Sequence, residues 1–473
     1  METPIADFIN EYAKKNMSRF HMPGHKGQAF LGCESWDITE IAGADALYEA
    51  QGIIAESEKN ATKLFGAGRT VYSTEGSSQC IRAMMHLLVS YWRSRKEQEI
   101  RWESGNKDFQ EQLGVRPYVL AARNVHKAFL YAAALVDFDV VWLYPEEMIS
   151  LCSCKITAEQ LQKELVKQIS IHRGIAPAAV YVTSPDYLGE TLDLCSLAAI
   201  CHQNNTFLAV DNAHGSYLHF LETPLHPMDL GADICCDSAH KTLPVLTGGA
   251  YLHISKQLPV FFEQNAKQAM ALFGSTSPSY LTMVSLDLCN RYLAEKFRDK
   301  TKVTIELIES MKKNLIKKGW DIKVTDPFKL TIFASGENIG MKLADDLRKQ
   351  GIECEYADKE FVVFMITPQN QKKDLKNLCS VLSHIENPRN TEIQKLPLQP
   401  VRCKQKNSIR EAVFLPQEFV DVKKSLGRVC GIPTVGCPPA IPIAVAGEII
   451  NQEAIRLFEQ YQIDKVAVVK FVL

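Results

Sequence analysis

Along the first 260 residues, hydrophobic positions gather into short runs separated by longer stretches of helical period. The runs Thr70–Ser73, Pro117–Ala121, Val140–Tyr144, Ala179–Thr183, Phe207–Val210, Asp233–Cys236 and Ala250–Ile254 are rich in β-branched or aromatic residues and read as buried strands. Between them, positions such as Ile81, Met84, Met85 and Leu88 recur at i, i+3, i+4 and i+7, the spacing of one helix face. Strands alternating with helices predict an α/β fold built on a mostly parallel sheet covered on both faces. Such a sheet places ligands at the carboxyl ends of its strands.

After about residue 295 the pattern changes. A charged helix over Lys300–Lys318 precedes strand-like Lys329–Phe333, helical Ile339–Gln350 and strand-like Phe361–Ile366, the pattern of a smaller α+β domain. Residues 386–410 are polar with three prolines and read as a linker. The expected organisation is therefore a large domain over 1–295, a small domain over 296–385, the linker, and a C-terminal domain over 411–473. The charge-dense stretch Arg93–Arg116 reads as a surface helix-and-loop excursion.

Composition narrows the function classes. A chain of 473 residues is too long for one core, and a net charge of −2 gives no reason to expect a nucleic-acid or membrane-surface partner. Residues 1–16 lack the basic start and apolar core of a secretory signal, and no apolar run reaches the ~20 residues that span a bilayer. The 14 cysteines are scattered without paired CxxC spacing, so reduced thiols in a cytoplasmic protein are expected, with no metal site.

Three segments carry candidate chemistry. The apolar run Asp233–Cys236 leads into Ser238, His240 and Lys241, and a lysine there forms an imine if its amine is desolvated. The run from Phe207 ends in Asp211, followed by Ala213, His214 and Gly215. A carboxylate on a neighbouring strand end, 30 residues before Lys241, is what a pyridinium cofactor needs at its ring nitrogen. Ala213 is small enough for a flat ring to lie close. Third, Thr74–Ser78 joins a strand to a helix start, where free N–H groups, the helix dipole and the Ser77 and Ser78 hydroxyls favour a phosphate.

These segments, together with HMPGHKG at 21–27, FGAGRTVYSTEGSS at 65–78, ARNVHKA at 122–128, YVTSPDYLGE at 181–190, DNAHG at 211–215, DSAHKTLP at 237–244, GSTSPSY at 274–280 and CPPAIPIAVAGE at 437–448, resemble the Orn/Lys/Arg decarboxylase family. The motifs run in family order along nearly the whole chain. The resemblance implies the aspartate-aminotransferase-like, type I pyridoxal-phosphate fold. It implies Lys241 as the lysine that tethers pyridoxal 5'-phosphate and Asp211 as the partner of the ring nitrogen. It further implies His126 stacked on the ring, and Ser77, Ser78, Ser238 and His240 around the phosphate. Thr276 would reach the phosphate of a neighbouring subunit's cofactor, making a homodimer the smallest active unit. His214 stands where some relatives place a tryptophan, and Lys241 or His214 would return a proton to Cα.

The implied reaction is decarboxylation of a basic amino acid, in polyamine-type metabolism. Arginine is favoured over lysine and ornithine because short forms of this kind are often arginine decarboxylases. Glu448, in the family's PGE-like element, would hold the cationic tail. The motif HMPGHK at residue 21 suggests a form without the long regulatory N-terminal domain. Departures from the family pattern are Ser-Ser-Gln-Cys at 77–80, Asn212 for glutamate and Ala446 for proline. The same fold also hosts aminotransferases and other lyases, and silent binding proteins. An aminotransferase needs a substrate-carboxylate arginine in the small domain, where only Arg348 and Arg389 occur between residues 300 and 400.

Overall fold

A computed structural model of the chain describes residues 1–104, 116–148, 150–323, 326–334, 339–385, 400–435 and 441–470. The centre of the fold is a seven-stranded sheet formed by β1 (Arg69–Ser73), β2 (Tyr118–Ala122), β3 (Asp139–Leu143), β4 (Ala179–Thr183), β5 (Leu208–Asp211), β6 (Ile234–Asp237) and β7 (Ala250–Ile254). Each expected strand is present within about one residue of its expected ends. The order is β1-β7-β6-β5-β4-β2-β3. Neighbours from β6 through β3 run parallel, and β7 alone runs against both its neighbours.

Both faces of the sheet are buried, which is why its strands read as continuous apolar runs. Val119, Ala121, Tyr181 and Ala209 face helices at 77–104, 127–136 and 260–271. Leu120, Val180, Val182 and Val210 face helices at 158–171 and 194–203. Helix Ser77–Ser104 absorbs much of the expected 93–116 excursion, and residues 105–115 lie outside the described ones.

A four-stranded antiparallel sheet follows, in the order β10-β11-β9-β8: β8 (Asp321–Lys323), β9 (Lys329–Phe333), β10 (Tyr356–Ala357) and β11 (Phe361–Met365). It is tied to the large domain by Lys329 Nζ donating to the Asp186 carbonyl at 2.8 Å and Thr331 Oγ1 to the Leu188 carbonyl at 2.8 Å. Beyond it, β12 (Gln417–Asp421) pairs with β15 (Lys465–Val469), and β13 (Thr434–Val435) with β14 (Pro442–Ala444). Residues 386–399 of the expected linker lie outside the described ones. At its far end a capping box of Ser408 and Glu411 starts a helix at Ile409. Ile409 and Ala412 of that helix are buried in the core that helix 127–136 also lines, and Arg410 donates to the Ala134 carbonyl at 2.7 Å.

Among the described residues every cysteine is a free thiol, and no helix is long and apolar enough to cross a membrane.

Candidate active site

The parallel strands β1, β2, β4, β5 and β6 end on one side of the sheet, and the segments after them line a single cavity of about 310 Å³. After β1 come Glu75, Gly76, Ser77 and Ser78. After β2 come Asn124 and His126, and β4 gives Thr183 and then Tyr187. Asp211, Ala213 and His214 follow β5, and Ser238, His240 and Lys241 follow β6. The antiparallel β7 closes the ring from its own start, with Thr247 and Gly248. Gly248 sits at φ +97° with its carbonyl accepting from Gly76 N at 2.7 Å, and a Cβ there would meet the Thr74 carbonyl oxygen at 2.6 Å. Only glycine fits that approach.

At one end of the cavity, Ser238 Oγ donates to Ser77 Oγ at 2.8 Å, where helix Ser77–Ser104 begins. The helix start and clustered hydroxyls form an anion-favouring corner. His240 Nδ1 donates to the Gly249 carbonyl at 3.0 Å, which fixes the tautomer and leaves Nε2 as an acceptor when the ring is neutral. His126 caps helix 127–136 by accepting from Ala128 N at Nδ1, 3.2 Å away, so a neutral ring carries its proton on Nε2. Burial, helped by the charges of Lys241 and Lys127, lowers its pKa to about 4, and the ring is neutral at ordinary pH.

Asp211 is 2% exposed at the end of β5. It accepts from Ala213 N and from the Tyr181 hydroxyl, both at 3.2 Å. Burial pushes its carboxyl above the usual range, and Lys241 opposes that. A desolvated carboxylate with only neutral donors is suited to a cationic partner. Burial likewise lowers the proton affinity of Lys241, against the pull of Asp211, which raises the share of neutral, nucleophilic amine. Lys241 Nζ lies 2.9 Å from His214 Nε2. Burial and the nearby Lys241 hold the His214 ring well below its ordinary pKa.

Behind Asp211 and Lys241 lies a fully buried polar network. Asp237, the last residue of β6, accepts from Asn212 Nδ2 at 2.6 Å, from His226 Nε2 at 3.1 Å and from His253 Nε2 at 3.3 Å. These donors keep the Asp237 carboxyl far below the usual carboxylate range despite its burial. The ligand-type atoms of His226, Asp237 and His253 lie within 4.8 Å of one another. Yet His226 Nδ1 accepts from Met228 N at 3.3 Å, which puts the proton on Nε2 and directs it at Asp237, away from metal ligation. Asn212, one of the departures from the family pattern, is thus a donor to Asp237 through Nδ2, while its Oδ1 is buried without a partner among the described residues.

Thr276 and Glu448 do not line this cavity. Thr276 is exposed on the loop before helix 280–292 and does not line the cavity of its own chain; that loop is held by Ser275 N donating to the Glu75 carboxylate. Glu448, expected at the substrate tail, is 1% exposed and does not line the cavity. Its carboxylate is 3.6 Å from Arg123 Nη2 and accepts from Val445 N at 2.8 Å, so its charge is spent within the C-terminal unit and the turn after β2. Asn124, Thr183 and Tyr187 went unassigned although they stand inside the quoted motifs. Ile441, inside the quoted CPPAIPIAVAGE motif, and Cys152, which no motif marks, also line the cavity.

Residues 3–91 and 110–338 match the Orn/Lys/Arg decarboxylase major-domain family. The chain belongs to that family. It is 28% identical to an arginine decarboxylase of Halalkalibacterium halodurans, over 95% of this chain and 91% of the relative. In structure it is similar to the lysine decarboxylase LdcF of Francisella novicida, with a TM-score of 0.78 at 16% identity, covering 99% of this chain and 81% of that one. A serine palmitoyltransferase of Sphingomonas wittichii shares the fold more distantly, with a TM-score of 0.54 at 12% identity over 80% of this chain and 82% of its own. The fold is that of type I pyridoxal-phosphate enzymes, with a small α+β domain and a C-terminal domain added.

The cavity fits that cofactor. Residues Asn124, Thr183 and His214 line it, and Asn124 Oδ1, Thr183 Oγ1 and His214 Nδ1 are buried polar atoms with no hydrogen-bond partner among the described residues, as expected of groups that face a polar ligand.

Proposed function

We propose that this decarboxylase-family chain converts a basic amino acid to its amine and CO₂ using pyridoxal 5'-phosphate, with arginine favoured over lysine and ornithine. The carrying observation is one cavity that joins a desolvated lysine, a histidine at 2.9 Å from it and a buried carboxylate. The similarity to arginine decarboxylases supports the preference for arginine.

Lys241 would tether the cofactor, Asp211 face its ring nitrogen, and His126 and Ala213 enclose its two faces. Ser77, Ser78, Ser238 and His240 would hold the phosphate. When bound, the cofactor supplies an electron sink for the electrons left by departing CO₂. Asp211 contributes the fixed negative charge that keeps the ring nitrogen protonated. His126, neutral through the ordinary pH range, presents an uncharged face. Lys241 and His214 share one proton between Nζ and Nε2, and either atom can deliver it to Cα. Thr276, exposed on its loop, would serve the neighbouring subunit of a homodimer, and the enzyme would act in the cytoplasm in polyamine-type metabolism.

Arg348 does not supply the carboxylate-binding arginine of an aminotransferase. It is exposed, with its guanidinium 2.8 Å from Asp345 and 3.0 Å from Glu353. Arg389 lies outside the described residues. Incubating the purified protein and cofactor with arginine, lysine and ornithine should yield agmatine, cadaverine or putrescine. Keto acid in place of amine, or no product from any of the three, overturns the proposal.

A further inference from the structure

A cationic tail leaving the cavity needs an anion, and Glu448 is already occupied by Arg123. The other carboxylates nearby are likewise engaged. Asp211 stands at the ring position, Glu75 holds Ser275 N at the anion-favouring corner, and Glu190 meets the Ser153 hydroxyl and Lys155. Asp186 is fully buried, accepting from Glu190 N at 2.9 Å.

Glu355 differs. It is exposed, at the entrance to strand β10 of the small domain, its N–H held by the Val363 carbonyl at 2.9 Å. Its Oε1 accepts from the Tyr187 hydroxyl at 2.8 Å. Tyr187 lines the cavity and meets His214 edge-on, with ring centroids 4.8 Å apart. From Lys241 an unbroken path therefore runs through His214 and Tyr187 to a carboxylate at the edge of the cavity. The charge of Glu355 is felt by Lys241 and His240 inside. A basic amino acid whose Cα sits beside Lys241 and whose alkyl chain lies along the Tyr187 ring would bring its ammonium or guanidinium to Glu355.

On the basis of the decarboxylase reading, we infer that Glu355, positioned by the Tyr187 hydroxyl, is the specificity-determining carboxylate for the substrate's distal cation. The geometry gives this task to the small domain, so recognition of the tail depends on how the two domains are packed.

The test compares wild type, Glu355→Gln and Tyr187→Phe in the cofactor-loaded enzyme. Each is assayed with the best basic amino acid and with a neutral isostere, citrulline for arginine or norleucine for lysine. Glu355→Gln should raise KM for the cationic substrate about 10- to 100-fold, the loss of one charge-assisted contact. It should leave kcat within a few-fold and the visible cofactor band unchanged. Its preference for the cationic substrate over the isostere should collapse, while Tyr187→Phe, which keeps the carboxylate but removes the hydroxyl that positions it, should lower that preference by a smaller factor. An active wild type whose KM and preference survive Glu355→Gln overturns the inference alone. Equal KM losses for charged and neutral substrates also overturn it, because they assign Glu355 a structural role. A wild type that makes no amine from any basic amino acid overturns the decarboxylase reading together with this inference.

Discussion

Nζ of Lys241 and Nε2 of His214 lie 2.9 Å apart at the centre of the cavity, and burial lowers the proton affinity of both. A pair of this kind holds one proton and passes it with little reorganisation. Replacing His214 with Phe should lower kcat about 100-fold, the lower range for a positioned acid–base group, while the visible cofactor band persists. Steady-state kinetics across pH check this, and an unchanged kcat and pH profile would remove His214 from proton transfer.

Lys241→Ala should abolish both the visible band and amine formation. Absorbance of the purified variant with added pyridoxal phosphate is the readout. A wild-type-like band in that variant would place the tether on another residue.

The Asp237 network predicts a stability effect with a definite sign. Asn212→Asp replaces a donor 2.6 Å from the Asp237 carboxylate with a second anion, in a region with no water access. The cost should be ~2–4 kcal/mol in urea unfolding, with weakened cofactor retention because Asp211 and Ser238 flank the network. Equal midpoints for the variant and wild type would show that the network contributes no stability.

Glu448→Ala should behave as a core lesion. Removing one partner of a buried ion pair leaves Arg123 uncompensated and costs ~3 kcal/mol in unfolding free energy, while KM of the folded enzyme changes by less than about twofold. A large KM rise with unchanged stability would return Glu448 to the substrate pocket.

Acidification carries its own signature. Folded His126 has its pKa lowered to about 4, against an ordinary value of 6.5. Between those values the unfolded chain takes up a proton that the folded site refuses. The stabilisation is therefore complete above pH 6.5 and is lost as pH falls toward 4, by up to ~1.4 kcal/mol per pH unit. Urea midpoints of wild type and His126→Phe across this range should diverge, with the variant showing the shallower slope. Parallel slopes would mean that His126 is not held neutral by its surroundings.

What was legible in the sequence follows from which physical constraints are local. The seven strands of the large sheet could be read to about one residue because burial on both faces leaves each as a continuous apolar run. Strands β8 and β10, of three and two residues, are too short to display a period. Lys241, Asp211, His126 and the serines converge because strand ends in a parallel sheet must converge. Glu448 does not join them, for the opposite reason. Its motif marks a loop, and only the long-range docking of β14 onto Arg123 decides which way the carboxylate turns. Glu355 and Tyr187 are 168 residues apart, and no spacing rule links them.

The docking of β14 has a wider consequence. Arg123 donates from Nη1 and Nη2 to the Pro442 and Ile443 carbonyls, each at 3.0 Å, one residue before Asn124 on the cavity wall, and Ile441 completes that wall. Residues 441–443 are therefore a plug whose seating shapes the chamber. A ribosome leaves the chamber unsealed until residues 441–443 have emerged, so a product cut short before them would carry every tethering residue and still have an open side.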